Sequence, residues 1–265
     1  MHREFVLDPA HRRKALIVLI ACLAVLAAAV VLASRAQRDF GRVEVTNAHY
    51  ANAAGIPIRA KLFKPLSAGR ERPAPGVVYI HGYQNNRETG DAYAIEIARR
   101  GIVVLNVDAI GRGHSGIPGD PKAPDFDRTY GGQASIAYLR SLPYVDPRRV
   151  GIAGHSLGAE MAYLTALQDL TLKALVLTGY AYPPEATPTQ PKNMLMIIGR
   201  YDEFRKRMTG TRDIVREWMG TERTRRAFGI DRPELGKTYG DFAAGTARRV
   251  VVPPITHVHE SHHPG

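Results

Sequence analysis

The sequence predicts an α/β fold: a mostly parallel central sheet flanked by helices and preceded by one transmembrane helix. Short apolar strand patterns alternate with amphipathic helical patterns through most of the 265 residues. Such alternation favours right-handed crossovers between parallel strands. An uncharged apolar run over residues 15–34 precedes this region and is long enough to span a bilayer.

The predicted elements follow one another in a regular order. Two stretches that alternate polar and apolar residues, 42–45 and 56–63, have a turn sequence at 52–55 between them and predict an antiparallel hairpin at the sheet edge. Apolar runs predict buried strands at residues 75–80, 101–107, 150–154, 173–178, 193–198 and 248–252. Helical periodicity predicts helices at residues 91–100, 130–142 and 160–170.

A G-x-S-x-G motif lies between a strand pattern and a helical pattern. It reads Gly154-His155-Ser156-Leu157-Gly158. In a nucleophile elbow the chain passes from strand to sharp turn to helix, so that a strained serine is exposed at the end of the sheet. Glycines flank such a turn because a Cβ at either position would collide with a neighbouring strand or helix. The motif therefore predicts Ser156 as a nucleophile.

A serine nucleophile needs a base and a group that orients the base. Asp202 follows the strand pattern at residues 193–198, within the sequence Gly199-Arg200-Tyr201-Asp202. A position just past a strand end lies at the sheet edge where Ser156 is expected. The alternative for Asp202 is a helix cap or a turn residue. Its order after the serine favours the role of triad acid.

Four histidines follow the last strand pattern, where a triad requires its base. They are His257, His259, His262 and His263. His257 is nearest the strand and is the predicted base, with His259 second, whereas the last two fit a solvated turn or the first turn of a helix. We predict no metal site at His257, His259 and His263, because no cysteine or second His/Asp cluster completes a four-ligand set.

The loop after the strand pattern at 75–80 predicts the donors of an oxyanion hole. It reads His81-Gly82-Tyr83. The glycine lets the backbone approach the site, so that the N–H groups of Tyr83 and Leu157 both point at the oxyanion. We interpret His81 as a structural hydrogen-bonding residue beneath this loop.

A glycine-rich loop at residues 108–116 follows the next strand pattern. Its glycines do not have the G-x-G-x-x-G spacing, and no acidic residue ends a following strand. The sequence therefore predicts no dinucleotide cofactor.

Together these motifs resemble the α/β-hydrolase fold family, of the esterase and dienelactone-hydrolase-like kind. The resemblance covers residues 43–263 and is carried by His81-Gly82-Tyr83, the loop from Asp108 to Ser115, the G-x-S-x-G motif, Gly199-x-x-Asp202 and His257. It implies a mostly parallel sheet, no cofactor, and a triad of Ser156, His257 and Asp202. A serine at the elbow, rather than an aspartate, argues against the haloalkane-dehalogenase and epoxide-hydrolase branches of that fold.

Two segments depart from the family pattern. Residues 203–247 form a long insertion with two open interpretations, a small lid over the site or an elaborated pair of surface helices. Proteins of this family usually finish with a helix packed on the sheet after the histidine, whereas this chain stops at Gly265. We therefore expect a domain truncated at its C-terminus, with nothing packed on the His257 loop and residues 256–265 poorly ordered.

Composition and charge narrow the function classes. The net charge of +11 comes from basic residues scattered along the chain without a groove-binding motif, so we predict no nucleic-acid partner. Contact with anionic lipid headgroups, or a basic proteome, accounts for the charge better. One cysteine cannot form an intramolecular disulfide, so cysteine use does not indicate a redox compartment.

The N-terminal segment predicts a membrane anchor. Arg12, Arg13 and Lys14 precede the apolar run, and Arg35 and Arg38 follow it. A cleaved signal peptide is the alternative, but its apolar stretch normally covers about 7–15 residues, fewer than here. We expect a transmembrane segment within residues 1–38 and a hydrolase domain over residues 39–265. The slightly heavier basic flank before the helix favours a cytoplasmic N-terminus and a hydrolase domain outside the cytoplasm.

The sequence thus predicts a membrane-anchored serine hydrolase that cleaves small carboxylic esters through an acyl-enzyme and contacts lipid through its N-terminal helix. Alternatives of the same fold are a peptidase, a lipase and a thioesterase. The alternative from another class is a catalytically silent module of this fold, used for binding at the membrane. The intact Ser156, Asp202 and His257 argue against that alternative.

Overall fold

The N-terminal apolar run forms one long helix in the computed structural model, which describes residues 8–181 and 184–261. The chain divides into two units, Met1–Arg42 and Val43–Gly265. In the first unit, helix α1 covers Pro9–Ala36, and no residue in it is buried. At about 1.5 Å per residue it is roughly 42 Å long, more than the hydrocarbon core of a bilayer. Among the described residues it is the one helix with the length and composition to cross a membrane, criteria that a signal sequence also meets.

The second unit is built on an eight-stranded sheet with the order β1-β2-β4-β3-β5-β6-β7-β8. Its strands are β1 Val43–Ala51, β2 Pro57–Pro65, β3 Ala74–Ile80, β4 Val103–Val107, β5 Val145–His155, β6 Leu175–Thr178, β7 Met194–Ile197 and β8 Arg248–Val251. β2 pairs antiparallel with β1 and β4, and all other pairs are parallel. The predicted fold class is therefore confirmed.

The antiparallel edge begins as the predicted hairpin of β1 and β2. Asn52 closes the turn, because its side-chain oxygen accepts hydrogen bonds from the backbone N–H groups of Ala54 and Ile56. Asparagine favours such turns since its short side chain replaces a backbone acceptor.

Helices cover both faces of the sheet. They are α2 Asp91–Arg99, α3 Gly132–Ser141, α4 Leu157–Gln168, α5 Arg205–Thr209, α6 Ile214–Glu217 and α7 Glu222–Phe228. Ala94 and Ala98 of α2 pack with Tyr79 and Val104 on one face. The larger core on the other face includes buried residues of α3 and α4. Strands buried on both sides explain the continuous apolar runs in the sequence, above all β4, which is buried along its whole length.

The insertion at residues 203–247 contains the short helices α5, α6 and α7, with a 3₁₀ turn at Trp218–Gly220 between the last two. Asp213 and Thr221 cap α6 and α7. Arg248 of β8 ties the insertion to the sheet, because its buried guanidinium donates to the carbonyls of Ala227, Ala247, Thr187 and Pro191. Burial lowers the pKa of Arg248 to about 10.

Candidate active site

Ser156 lies at a strained turn between β5 and α4. Its backbone has φ 53° and ψ −119°, a conformation that a residue with a side chain rarely adopts. A Cβ at Gly154 would lie 2.2 Å from the backbone oxygen of Gly158, and one at Gly158 would lie 2.2 Å from that of Ile80. Strand, turn and helix therefore pack too closely for any residue but glycine at these two positions, as expected for a nucleophile elbow.

Three predicted residues form a continuous hydrogen-bonded chain at the carboxyl edge of the sheet. Ser156 Oγ lies 2.9 Å from His257 Nε2, and His257 Nδ1 lies 2.8 Å from Asp202 Oδ2. Asp202 follows β7 and is fully buried, and its other oxygen accepts from the N–H of Phe204. With the Nδ1 proton donated to Asp202, Nε2 of the neutral imidazole is free to accept the serine proton.

His257 has a strongly perturbed pKa. Burial disfavours the charged imidazolium, but the hydrogen bond that Nδ1 donates to Asp202 and the negative charges of Asp202 and Glu260 outweigh it and raise the pKa of His257 to about 9. The imidazole also lies between two rings, His155 at 4.8 Å and Phe204 at 5.0 Å between ring centroids. These contacts restrict the orientation of the imidazole, which lines the cleft beside Ser156.

The predicted oxyanion donors lie beside the serine. Tyr83 and Leu157 line the same cleft as Ser156. Within the described part of the chain, neither backbone N–H donates a hydrogen bond to protein. A Cβ at Gly82 would lie 3.4 Å from Ser156 Cβ. The loop after β3 therefore approaches the serine closely, as expected from a glycine at this position.

His81 supports this loop from below, in the structural role predicted for it. Its Nε2 accepts from the N–H of Ala109 at 3.2 Å, so its Nδ1 carries the proton and donates to the Gly82 oxygen at 2.8 Å. Burial lowers the pKa of His81, which keeps the ring neutral. His81 therefore connects the loops that follow β3 and β4.

The glycine-rich loop after β4 wraps around the buried carboxylate of Asp108. That carboxylate accepts from the backbone N–H groups of Arg87 and His114, and Ser115 Oγ donates to the Asp108 carbonyl. A Cβ at Gly113 would lie 2.2 Å from the Asp108 carboxyl carbon. The loop glycines thus make room for a structural aspartate.

An open cleft of about 1010 Å³ leads to Ser156. Apolar and aromatic side chains on its walls are Tyr83, Leu157, Tyr180, Phe204, Met208 and Val258. Polar side chains also line it, among them Gln84, Asn85, Glu160 and Arg207. Phe204, Arg207 and Met208 belong to the start of the insertion. This part of the insertion therefore forms one wall of the cleft.

Sequence reasoning missed two buried groups around His257. His155, the variable residue of the G-x-S motif, donates from Nε2 to the His257 carbonyl at 3.1 Å. Glu260 lies 3.3 Å from His257 Nδ1. The available signal was the spacing of Glu260 three residues after the histidine, which puts both on one side of a helical turn.

The same three residues are those best placed to hold a metal ion among the described residues. One ligand atom from each of His155, His257 and Glu260 lies within 4.8 Å of the others. His257 Nδ1 is already bonded to Asp202 and His155 Nε2 to a carbonyl. These two nitrogens are therefore already engaged in hydrogen bonds within the protein, whereas Glu260 Oε2 has no hydrogen-bond partner among the described residues.

The remaining histidines do not join the site in the described part of the chain. His259 is exposed, and its Nδ1 bonds to Thr256 Oγ1 at 2.8 Å. His262 and His263 lie outside the described residues. The expectation that nothing packs on His257 is wrong, since Val258–Ser261 form a 3₁₀ turn that buries Glu260 against it.

Comparisons with known proteins agree with this architecture. A sequence profile described as "Alpha/beta hydrolase family" matches residues 77–261. The uncharacterized protein YcjY of Escherichia coli (strain K12) is 32% identical over 137 residues, which are 51% of this chain and 43% of YcjY. The uncharacterized protein PA2218 of Pseudomonas aeruginosa is 32% identical over 139 residues, which are 51% of this chain and 36% of that protein. The match therefore spans less than half the length of either curated relative.

Solved structures share the fold at low sequence identity. The crystal structure of PA2218 has a TM-score of 0.55 and 17% identity, covering 84% of this chain and 89% of that one. The esterase of Pyrobaculum calidifontis has a TM-score of 0.56 and 18% identity, covering 81% of this chain and 76% of that one. At sequence identities of 17% and 18%, the structural similarity shows that this chain shares the fold of these two proteins.

Proposed function

The chain belongs to the alpha/beta hydrolase family, as its motifs predicted, and we propose that it is a serine hydrolase that cleaves carboxylic esters through an acyl-enzyme. One observation carries the proposal, the hydrogen-bonded chain from Ser156 Oγ through His257 to Asp202. The strained backbone of Ser156 supports it independently, since strain of this kind occurs at nucleophile elbows.

The geometry supports a two-step mechanism. Ser156 Oγ attacks the ester carbonyl carbon while its proton passes to His257 Nε2, 2.9 Å away. The carbonyl oxygen becomes an oxyanion held by the N–H groups of Tyr83 and Leu157. Collapse of this intermediate breaks the bond to the alcohol, which leaves with the proton from Nε2. Asp202 holds the imidazole and stabilises its cation during both transfers.

Water completes the cycle by the reverse sequence. His257 takes a proton from a water molecule, whose oxygen attacks the acyl carbon. The second oxyanion collapses, the bond to Ser156 Oγ breaks, and His257 returns the proton to the serine. The products are a carboxylic acid, an alcohol and the resting enzyme.

Esters are the proposed substrate class for two reasons. The cleft has the volume of a small-molecule site and exposes more apolar than polar surface, which suits an acyl chain. In addition, the Pyrobaculum calidifontis protein of the same fold is an esterase. Thioesters, amides and long-chain lipids are the competing substrates within the same mechanism.

We also propose that α1 anchors the enzyme in a membrane and contacts lipid, with the hydrolase domain outside the cytoplasm. The proposal rests on a helix of 28 residues with no buried residue, which contains the uncharged apolar run over residues 15–34. Basic residues lie on both sides of its apolar run, slightly more of them before it, which favours a cytoplasmic N-terminus. A cleaved signal peptide would also deliver the domain across the membrane, but without the anchor.

A substrate series tests the reaction class. The purified chain of 265 residues and its Ser156→Ala variant are assayed on p-nitrophenyl esters of graded chain length, on the matched thioesters and on the p-nitroanilides. We expect Ser156-dependent hydrolysis that is fastest on short or medium esters. Faster cleavage of the anilides would indicate a peptidase. Absence of Ser156-dependent turnover on the whole series would favour the silent module.

A further inference from the structure

Glu260 is a buried carboxylate beside His257 that the mechanism above does not use. Its side chain lies in the core, and the residue is 1% exposed. Oε1 accepts a hydrogen bond from the N–H of Gly199, just after β7. The Glu260 carbonyl accepts from the hydroxyl of Tyr93 on α2. These contacts hold the carboxylate in one position, facing the imidazole.

The second carboxylate oxygen, Oε2, makes no hydrogen bond of good geometry to a described residue. Its nearest donors are His257 Nδ1 at 3.3 Å and His155 Nε2 at 3.5 Å. The first donor is directed at Asp202, and the second at the His257 carbonyl. A buried carboxylate without full hydrogen bonding is costly unless positive charge lies beside it. The imidazolium form of His257 supplies that charge.

Two glycines leave the space that this arrangement needs. A Cβ at Gly179 would lie 2.3 Å from Glu260 Oε2 and 2.8 Å from His257 Cε1. A Cβ at Gly199 would lie 3.2 Å from Glu260 Oε1. The ends of β6 and β7 therefore have no side chain where the carboxylate meets the histidine.

We infer that Glu260 is a positioning residue, a second carboxylate partner of His257 Nδ1 that sets the pH range in which His257 is a neutral base. The inference rests on the proposed serine-hydrolase function. Asp202 alone would stabilise the imidazolium that forms in the transition state. A second buried carboxylate stabilises the same cation already in the resting enzyme, so the base becomes available only at higher pH.

Other titratable groups face this pair from each packed element. They are Asp202 and Glu203 after β7, His155 at the end of β5, and Tyr93 on α2. Glu203 accepts a hydrogen bond from the His257 backbone N–H, at 3.3 Å, instead of from the imidazole. Burial acts to raise the pKa of Glu260, but the nearby rings of His155 and His257 and the hydrogen bond from the Gly199 N–H lower it below its usual value. Glu260 therefore remains anionic at neutral pH.

The test compares pH profiles of kcat/KM for the full chain in detergent, with p-nitrophenyl acetate as the probe. Glu260→Gln keeps the size of the side chain and removes its charge. We expect its acid limb to move to lower pH by about one unit or more, because an opposite charge within 4–6 Å has been removed. Glu203→Gln is the matched control, a carboxylate on the loop after β7 whose recorded contact is with the His257 backbone N–H and not with the imidazole, and we expect it to keep the wild-type limb.

An unchanged acid limb in Glu260→Gln, with only a lower plateau, would overturn the inference and leave Glu260 a structural role. If Glu260→Gln does not fold, Glu260→Asp is measured instead, because it withdraws the carboxylate by one methylene. A limb moved towards lower pH supports the inference, and an unmoved limb counts against it.

A second measurement keeps this inference separate from the proposed function. The imidazole of His257 is titrated by NMR in Ser156→Ala and in Ser156→Ala combined with Glu260→Gln, neither of which needs turnover. A lower His257 pKa in the double variant supports the inference, and equal values overturn it. Absence of Ser156-dependent hydrolysis in the wild type would instead count against the proposed function.

Discussion

His257 Nδ1 lies 2.8 Å from Asp202 Oδ2, although 55 residues separate the two along the chain. The contact arises because β7 and β8 pair in parallel, from Met194 opposite Arg248 to Ile197 opposite Val251. The chain therefore leaves both strands at the same edge of the sheet. The helices α5, α6 and α7 extend the sequence between the two strands without separating their carboxyl ends.

Replacing the acid tests this contact. We expect Asp202→Asn to lower kcat by about 10²–10⁴-fold, because the imidazole loses its closest acceptor and counter-charge. The retained Glu260 determines where in that range the loss falls. Turnover is measured on the best ester, with Asp108→Asn as a comparison for a buried carboxylate outside the triad. Full activity in Asp202→Asn, with loss in Asp108→Asn, would mean that the wrong carboxylate is assigned.

The pH dependence of the wild-type enzyme follows from the perturbed histidine. The pKa of His257 is raised to about 9, so below that pH the ring is protonated and cannot accept the serine proton. We expect kcat/KM to rise with pH and to reach half its plateau near pH 9, after subtraction of spontaneous ester hydrolysis. A half-plateau near pH 6.5, the ordinary value for histidine, would show that the two carboxylates do not act on the base.

The elbow glycines give a prediction about stability. In Gly158→Ala the new Cβ would lie 2.2 Å from Ile80 O and 2.3 Å from His81 O, both backbone atoms that cannot rotate away. We expect the free energy of unfolding to fall by about 1–3 kcal/mol or more. Gly69→Ala is the control, since nothing lies within 4 Å of its Cβ. Thermal unfolding of both variants in detergent measures the difference, and equal stability would contradict the packing described at the elbow.

The fold and much of the candidate site could be predicted because they depend on local pattern. Strands buried on both faces, such as β4, are continuous apolar runs in the sequence. The elbow around Ser156 is predicted by its two flanking glycines, at which a Cβ would collide with neighbouring backbone. Asp202 and His257 follow from their places after strand patterns. The observed bounds of some elements differ from the predicted ones by a few residues. Helix α4, for example, begins at Leu157, whereas the sequence pattern predicted a start at residue 160.

Glu260 could not be found in the same way. Its position depends on the 3₁₀ turn Val258–Ser261 and on space left at Gly179 and Gly199, which are distant in sequence. The helices of the insertion were also hard to predict, because they are short and depend on local caps such as Asp213. Helices of this length are marginal by propensity alone and form mainly through tertiary packing.

The N-terminal helix gives a prediction about location. We expect the full chain to fractionate with membranes and to resist carbonate extraction, because the transfer of its apolar run into lipid is favourable in sum. Deletion of residues 1–38 should release soluble protein that retains activity. A mature protein that begins near Gln37, identified by mass spectrometry, would instead support a cleaved signal peptide.

The most direct test of the central claim is covalent labelling of the serine. The purified chain of 265 residues, its Ser156→Ala variant and the heat-denatured wild type are incubated with a fluorophosphonate probe, and the modified peptide is mapped by mass spectrometry. We predict one label, on Ser156 of the folded wild type, and none in the other two samples. A folded wild-type protein that takes up no probe, or is labelled equally after Ser156→Ala, would contradict the account.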